Sequence, residues 1–243
     1  ASGGTEPHRF YPYHHYKITQ IPHTFQPITG TVLSTGSLNA PIPFEFPFYG
    51  KKYQVGSVSK MGAMYFEFED SNVPYDRDYS VLMRYFKTIS PFYGYHSTAT
   101  IRYEGNAESA KYYWNATFSG TVLKYMVTLF PDGTIYIDYG DAPTPTDYEW
   151  QAGITSGDQH SYQEFEFSSE YFPANTRFIL EPKPFPMGLE MDENGTISGM
   201  ITEEFPGDSI YVKVYDNNWL IDVKGYLFVK REILTNNYHV NTP

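Results

Sequence analysis

Carboxylates, histidines and aromatics are the residues of this chain that could do chemistry, and their spacing decides which chemistry is open to them. Glu67 with Glu69, and Glu164 with Glu166, stand two apart, so on a strand each pair shares one face, as the acid and base of a glycosidase would. The same spacing describes a solvated strand face. His14 and His15, with His8 and His23 nearby, supply imidazoles suited to a transition metal. Adjacent residues of an extended chain point to opposite faces, so the spacing alone assembles no ligand set and the expected metal complement is none. Asp70, Asn72, Asp76 and Asp78, and separately Asp192 to Asn194, offer hard oxygen ligands for Ca²⁺, though without EF-hand spacing. Turns rich in Asp and Asn need no ion, and no cofactor is expected. No G-x-S-x-G, HExxH, P-loop or dinucleotide glycine motif occurs. The chain contains no cysteine, which removes disulfides, thiolate metal sites and a cysteine nucleophile. Tyr93, Tyr95, Tyr112, Tyr113 and Trp114 are the candidates for stacking on sugar rings, against the alternative that they cover cross-strand surface. Asn115-Ala116-Thr117 and Asn194-Gly195-Thr196 are glycosylation sequons.

The elements that must position these groups are strands. In Pro43 to Phe68, Phe44, Phe46 and Phe48 alternate with Glu45, Pro47 and Tyr49, and Met64, Phe66 and Phe68 alternate with Tyr65, Glu67 and Glu69. Pro47 has no amide to donate, which places its strand at a sheet edge or a strand start. Tyr125, Val127 and Leu129 alternate up to Pro131-Asp132-Gly133, and Ile135, Ile137 and Tyr139 alternate on the way back, which predicts an antiparallel hairpin. Aromatics make up 19% of the 243 residues and charged residues 19%, with 18 prolines and 19 glycines, so turns are plentiful and long helices are not expected. The predicted class is all-β: an antiparallel β-sandwich followed by a small Ig-like β-sandwich. A formal charge of −11 with no cluster of Lys or Arg argues against nucleic acid as a partner. No apolar run approaches the ~20 residues that span a bilayer. The start Ala1-Ser2-Gly3-Gly4 matches the product of signal-peptide removal, so an extracellular or cell-surface location is expected.

Phe46-Pro47-Phe48-Tyr49-Gly50, Tyr53, Val58-Ser59, Gly62 and Phe66 resemble the opening of the β-sandwich module of nidogen-like and plexin-domain-containing extracellular proteins. Ile89 to Phe92, Ala99 to Tyr103, Val127 to Ile135 and Gln151 to Ile154 follow in that module's order, so the resemblance covers about 25–182. Where members often carry paired aspartates, this chain has Tyr93-Gly94-Tyr95. Phe185 to Gly199 resembles the signature of bacterial Ig-like, cadherin-related modules, and Ile210 to Val229 continues it to about residue 230. Neither family is a catalytic unit, so the resemblance implies a non-enzymatic protein.

The domains expected are therefore an extended segment 1–24, a sandwich 25–182 and an Ig-like part 183–243 with a polar tail, joined by a stiff Glu181 to Pro184 linker. About 45 residues of Ig-like signature fall short of the ~100 of a complete Ig sandwich, so its first strands are missing or come from elsewhere. The segment carrying Phe10, Tyr11, Tyr13, Tyr16, Ile18, Ile21 and Phe25 is suited to fill that gap, either in the same chain or in a neighbour. The expected function is a structural or adhesive protein that builds a filament or surface layer from copies of itself by strand exchange. Cell-surface or matrix glycans are a further expected partner. A carbohydrate-binding module and an accessory domain of a secreted hydrolase are the competing readings.

Overall fold

The computed structural model describes residues 9–12, 15–33, 37–49, 51–67, 86–146, 150–157, 162–168, 170–183, 189–191, 197–199, 210–216 and 219–226. The described residues are all-β and contain no helix, as the aromatic, proline-broken sequence predicts. The strands are β1 (Arg9–Pro12), β2 (His15–Pro22), β3 (Thr31–Leu33), β4 (Ser37–Phe48), β5 (Lys51–Ser59), β6 (Ala63–Tyr65), β7 (Lys87–Gly94), β8 (His96–Gly105), β9 (Ala110–Phe118), β10 (Thr121–Leu129), β11 (Ile135–Tyr139), β12 (Trp150–Ser156), β13 (Tyr162–Glu164), β14 (Thr176–Lys183), β15 (Leu189–Met191), β16 (Ile197–Gly199), β17 (Ile210–Asp216) and β18 (Trp219–Tyr226).

The chain divides into two compact units, residues His14–Pro184 and a smaller one made of Ala1–Tyr13 with Phe185–Pro243. This corrects the expected segment 1–24, which is split between the units because its two halves pair with different strands. The large unit therefore starts at residue 14 rather than 25. The expected linker is also corrected at its start: Glu181, Pro182 and Lys183 lie in β14, opposite Lys17, Tyr16 and His15.

In the large unit a seven-stranded antiparallel sheet, β2-β14-β11-β10-β9-β8-β3, faces a six-stranded one, β13-β12-β7-β6-β5-β4. Phe46, Phe48 and Phe66 from one sheet and Trp114, Tyr125, Val127, Leu129, Ile135 and Ile137 from the other share the core between them. Phe92 stacks on Trp150 at 4.3 Å between ring centroids at its centre. The predicted hairpin is present: Val127 pairs with Ile137 and Leu129 with Ile135, all four fully buried. Gly133 takes φ 87 in the turn, a backbone conformation that favours glycine, and the Asp132 carboxylate accepts the Thr134 amide at 2.9 Å. β4, which carries Pro41, Pro43 and Pro47, lies at a sheet edge, as its missing amides require. Phe165 and Phe167 follow β13 in a turn, and both are buried.

In the smaller unit β17 pairs with β18, with Asp216 opposite Trp219, and β15 pairs with β16. The third strand of its main sheet, in the order β1-β17-β18, is β1. Among the described residues, that sheet is thus completed by a strand from the N-terminal part of the chain.

Candidate functional site

The segment 9–22 serves both units through main-chain pairing. In β1, Phe10 stands opposite Val214 and Tyr11 opposite Lys213. After Tyr13 and His14, which lie outside the described residues, β2 runs antiparallel to β14, with Ile18 opposite Leu180 and Ile21 opposite Arg177. Tyr16 anchors β2: its ring is buried and lies 6.1 Å from Phe48 and 5.7 Å from Tyr49 between centroids. Its amide donates to Gln163 Oε1 at 2.6 Å, and its carbonyl accepts from Gln163 Nε2 at 2.9 Å. One amide side chain from β13 thereby occupies both main-chain groups of Tyr16 on the side away from β14. Pro182, which has no N–H, sits opposite Tyr16 at a position where none is needed.

Past β2 the chain crosses the outer face of the seven-stranded sheet. Phe25 packs on Tyr113 at 5.8 Å between centroids, and Ile28 joins Tyr113 and Met126 in a small apolar cluster. Next to that cluster Asp138, with no exposed side-chain surface, holds the Arg177 guanidinium in a fork, Nε to Oδ1 at 2.5 Å and Nη2 to Oδ2 at 2.9 Å. His23 Nε2 lies 3.2 Å from Arg177 Nη2 and 3.8 Å from Asp138 Oδ2. Arg177 further lies 4.6 Å from the centroid of the Tyr136 ring. Sequence reading missed Asp138, Arg177 and Gln163. Asp138 interrupts an apolar strand between Ile137 and Tyr139, which signals burial, but its partner depends on a register that the sequence does not display.

The five aromatics expected to bind a ligand are not brought together as a platform. Tyr93, Tyr112, Tyr113 and Trp114 are buried, and Tyr95 alone of the five is exposed. The Tyr112 hydroxyl donates to the Pro41 carbonyl at 2.6 Å, and Trp114 Nε1 donates to the Ser59 carbonyl at 2.9 Å. Rings held across the core in this way present no face to a sugar, which corrects the expected site. Three consecutive aromatics are buried because β9 is covered on both faces, by the second sheet on one and by Phe25 and Ile28 on the other.

Glu164 and Glu166 are exposed, and Glu69, His8 and His14 lie outside the described residues, as do Asp70, Asn72, Asp76, Asp78 and Asp192 to Asn194. Among the described residues no three His, Asp or Glu side chains gather as metal ligands. Glu67 takes φ 63 and joins a rim cluster, accepting from Lys51 Nζ and from the Tyr53 hydroxyl, each at 2.7 Å. These bonds, Lys51's first, hold its carboxyl below the usual carboxylate range. Lys87 Nζ in turn donates to the Tyr53 oxygen at 2.8 Å. Every charge in this cluster meets an opposite one, which makes it a tie between strands β5 and β7.

His96 is buried in the aromatic core. Its Nε2 lies 3.2 Å from the Tyr125 hydroxyl, with Phe92 and Phe118 packed on the ring. Burial pushes its pKa down from 6.5 to about 4. Above pH 6.5 the group is neutral in both folded and unfolded chain and contributes no pH dependence. As pH falls from 6.5 to 4 the unfolded chain takes the proton first, so stability should drop by about 3 kcal/mol across that window and level off below it. Denaturant titrations at pH 7 and pH 4 check this against His96→Gln. The variant should lose that share of the slope, and an unchanged slope would place the acid lability elsewhere.

Comparison of the chain with protein-family models, with curated proteins and with solved structures gives no match in any of the three. Among the described residues no helix is long and apolar enough to cross a membrane.

Proposed function

We propose that this is a non-enzymatic structural protein of the cell exterior whose subunits join head to tail by exchanging β1. One observation carries the reading: the main sheet of the smaller unit is completed by residues 9–12, drawn from the opposite end of the chain and placed at the sheet edge. An edge strand leaves its sheet by giving up its bonds to a single neighbour, here β17. A neighbour's β1 entering the same position restores every main-chain bond, so exchange costs little in contacts. Because donor and acceptor are different surfaces, such a contact propagates into a filament unless it closes into a ring. Tyr16, buried and held on both main-chain groups by Gln163, fixes where the exchanged arm begins. The lack of cysteine leaves β pairing and packing as the means of joining subunits.

Purified chain should form filaments visible by negative-stain electron microscopy, and excess free peptide of residues 1–13 should shorten them by occupying the β17 edge. A chain lacking residues 1–12 that folds and still forms filaments would overturn the proposal.

A further inference from the structure

The outer face of the seven-stranded sheet is covered over only part of its length. Its outward rungs across β8, β9 and β10 are Arg102, Tyr113 and Met126, then Thr100, Asn115 and Lys124, then Thr98, Thr117 and Val122. Phe25 and Ile28 close over the first rung, and Arg102 Nη1 donates to the Gly30 carbonyl of the same strap at 3.1 Å. The next two rungs are open: Thr98, Thr100, Asn115, Val122 and Lys124 are exposed, and Thr117 is half-buried. Within this open area Asn115 is the residue that the fold does not explain. Asparagine suits turns better than strands, and elsewhere in the chain it is used that way. Asn106 accepts the amides of Glu108 and Ser109 at 2.8 and 3.0 Å, and Asn175 takes φ 53. Asn115 instead stands within β9, and among the described residues nothing bonds to its side chain.

Thr117 supplies a reason for Asn115. Two apart on a strand, their side chains share the outer face, while Ala116 between them is buried on the other. Asn-Ala-Thr is the acceptor sequence for N-linked sugar. We propose that Asn115 carries an N-linked glycan. In the transfer its Nδ2 forms a bond to the anomeric carbon of a lipid-phosphate-activated oligosaccharide. The anomeric C–O bond breaks, and the lipid phosphate leaves with the electron pair and takes up the proton that Nδ2 loses. The folded sheet has room for the product: Thr100 and Lys124, opposite Asn115 on either side, are a small and a flexible side chain, so a sugar on Nδ2 leaves the face without displacing a packed ring. It also shields Val122, which is 53% exposed and lies diagonal to Asn115 across the β9–β10 pair. The inference rests on the cell-exterior part of the reading above, because this transfer accompanies export, and not on strand exchange.

Trypsin cuts after Lys111 and Lys124, and the peptide 112–124 holds Asn115 as its only asparagine. In chain isolated from its own source, mass spectrometry should find that peptide heavier than its sequence by an oligosaccharide, with sugar fragment ions and residual sugar on Asn115. The other sequon, at Asn194, falls on a different tryptic peptide and is read separately. Asn115→Gln and Thr117→Ala should each lose the added mass completely, and Thr117→Ser, which keeps the hydroxyl, should retain it. Peptide 112–124 at its unmodified mass in the wild-type chain would overturn the inference whether or not the variants fold, and so would sugar that persists on this peptide in Asn115→Gln. Filaments built from chains with the unmodified peptide would refute the glycan alone, and a glycosylated chain that forms no filament would refute strand exchange alone.

Discussion

Arg177→Ala should destabilise the large unit by roughly 3–5 kcal/mol, read as a shift in the denaturant midpoint at constant slope. The reason is Asp138, which has no exposed side-chain surface and whose two oxygens are both taken by the Arg177 fork. Removing the guanidinium strips both paired bonds from a carboxylate that is out of water. The residues are direct cross-strand neighbours on β11 and β14, and the other group beside the carboxylate is His23, whose Nε2 lies 3.8 Å from Oδ2. Arg177→Lys should recover only part of the loss, because a point charge cannot make the paired bonds or stack on Tyr136 as a planar group does. Replacing both partners, Asp138→Val with Arg177→Met, should be far milder than the single change, because no unpaired charge remains. A single-variant loss below ~1 kcal/mol would mean that water reaches Asp138 once the arginine is gone.

Leu129→Ala should cost roughly 2–5 kcal/mol as a truncation in a closed core. Leu129 is fully buried at the end of β10, with Ala110 of β9 opposite it on one side and Ile135 of β11 on the other. Both neighbouring strands are themselves paired further out, so backbone movement cannot readily close the space left behind. Val122→Ala, at the other end of the same strand but 53% exposed, should change stability by under ~0.5 kcal/mol. Equal losses from the two would contradict the assignment of the buried face.

The β10–β11 hairpin was legible because one face is core and the other polar enough to leave an alternation, and because Pro131-Asp132-Gly133 specifies the turn. Pro47 marked an edge strand for an equally local reason, the missing amide. The aromatic site was misread where that alternation fails: on β9, Tyr112, Tyr113 and Trp114 are all buried because both faces are covered. The cover over Tyr113 comes from Phe25 and Ile28, far away in sequence, and no local pattern announces it. The division of the N-terminal segment was hidden for the same reason. Tyr16 and Phe10 look alike as aromatics of an extended stretch, yet one pairs with Pro182 and the other with Val214. Gln163 could not have been singled out, since its part depends on two sheet edges meeting.

Strand exchange is tested most directly by cysteines placed in register across β1 and β17. The pairs Phe10→Cys with Val214→Cys, and Tyr11→Cys with Lys213→Cys, occupy successive rungs, so one of the two has the closer spacing that suits a disulfide. In assembled material, mild oxidation followed by a non-reducing denaturing gel should give a ladder of covalently joined subunits that collapses to monomer on reduction. Assemblies that yield only cross-linked monomers, each with its own β1 tied to its own β17, would contradict the account.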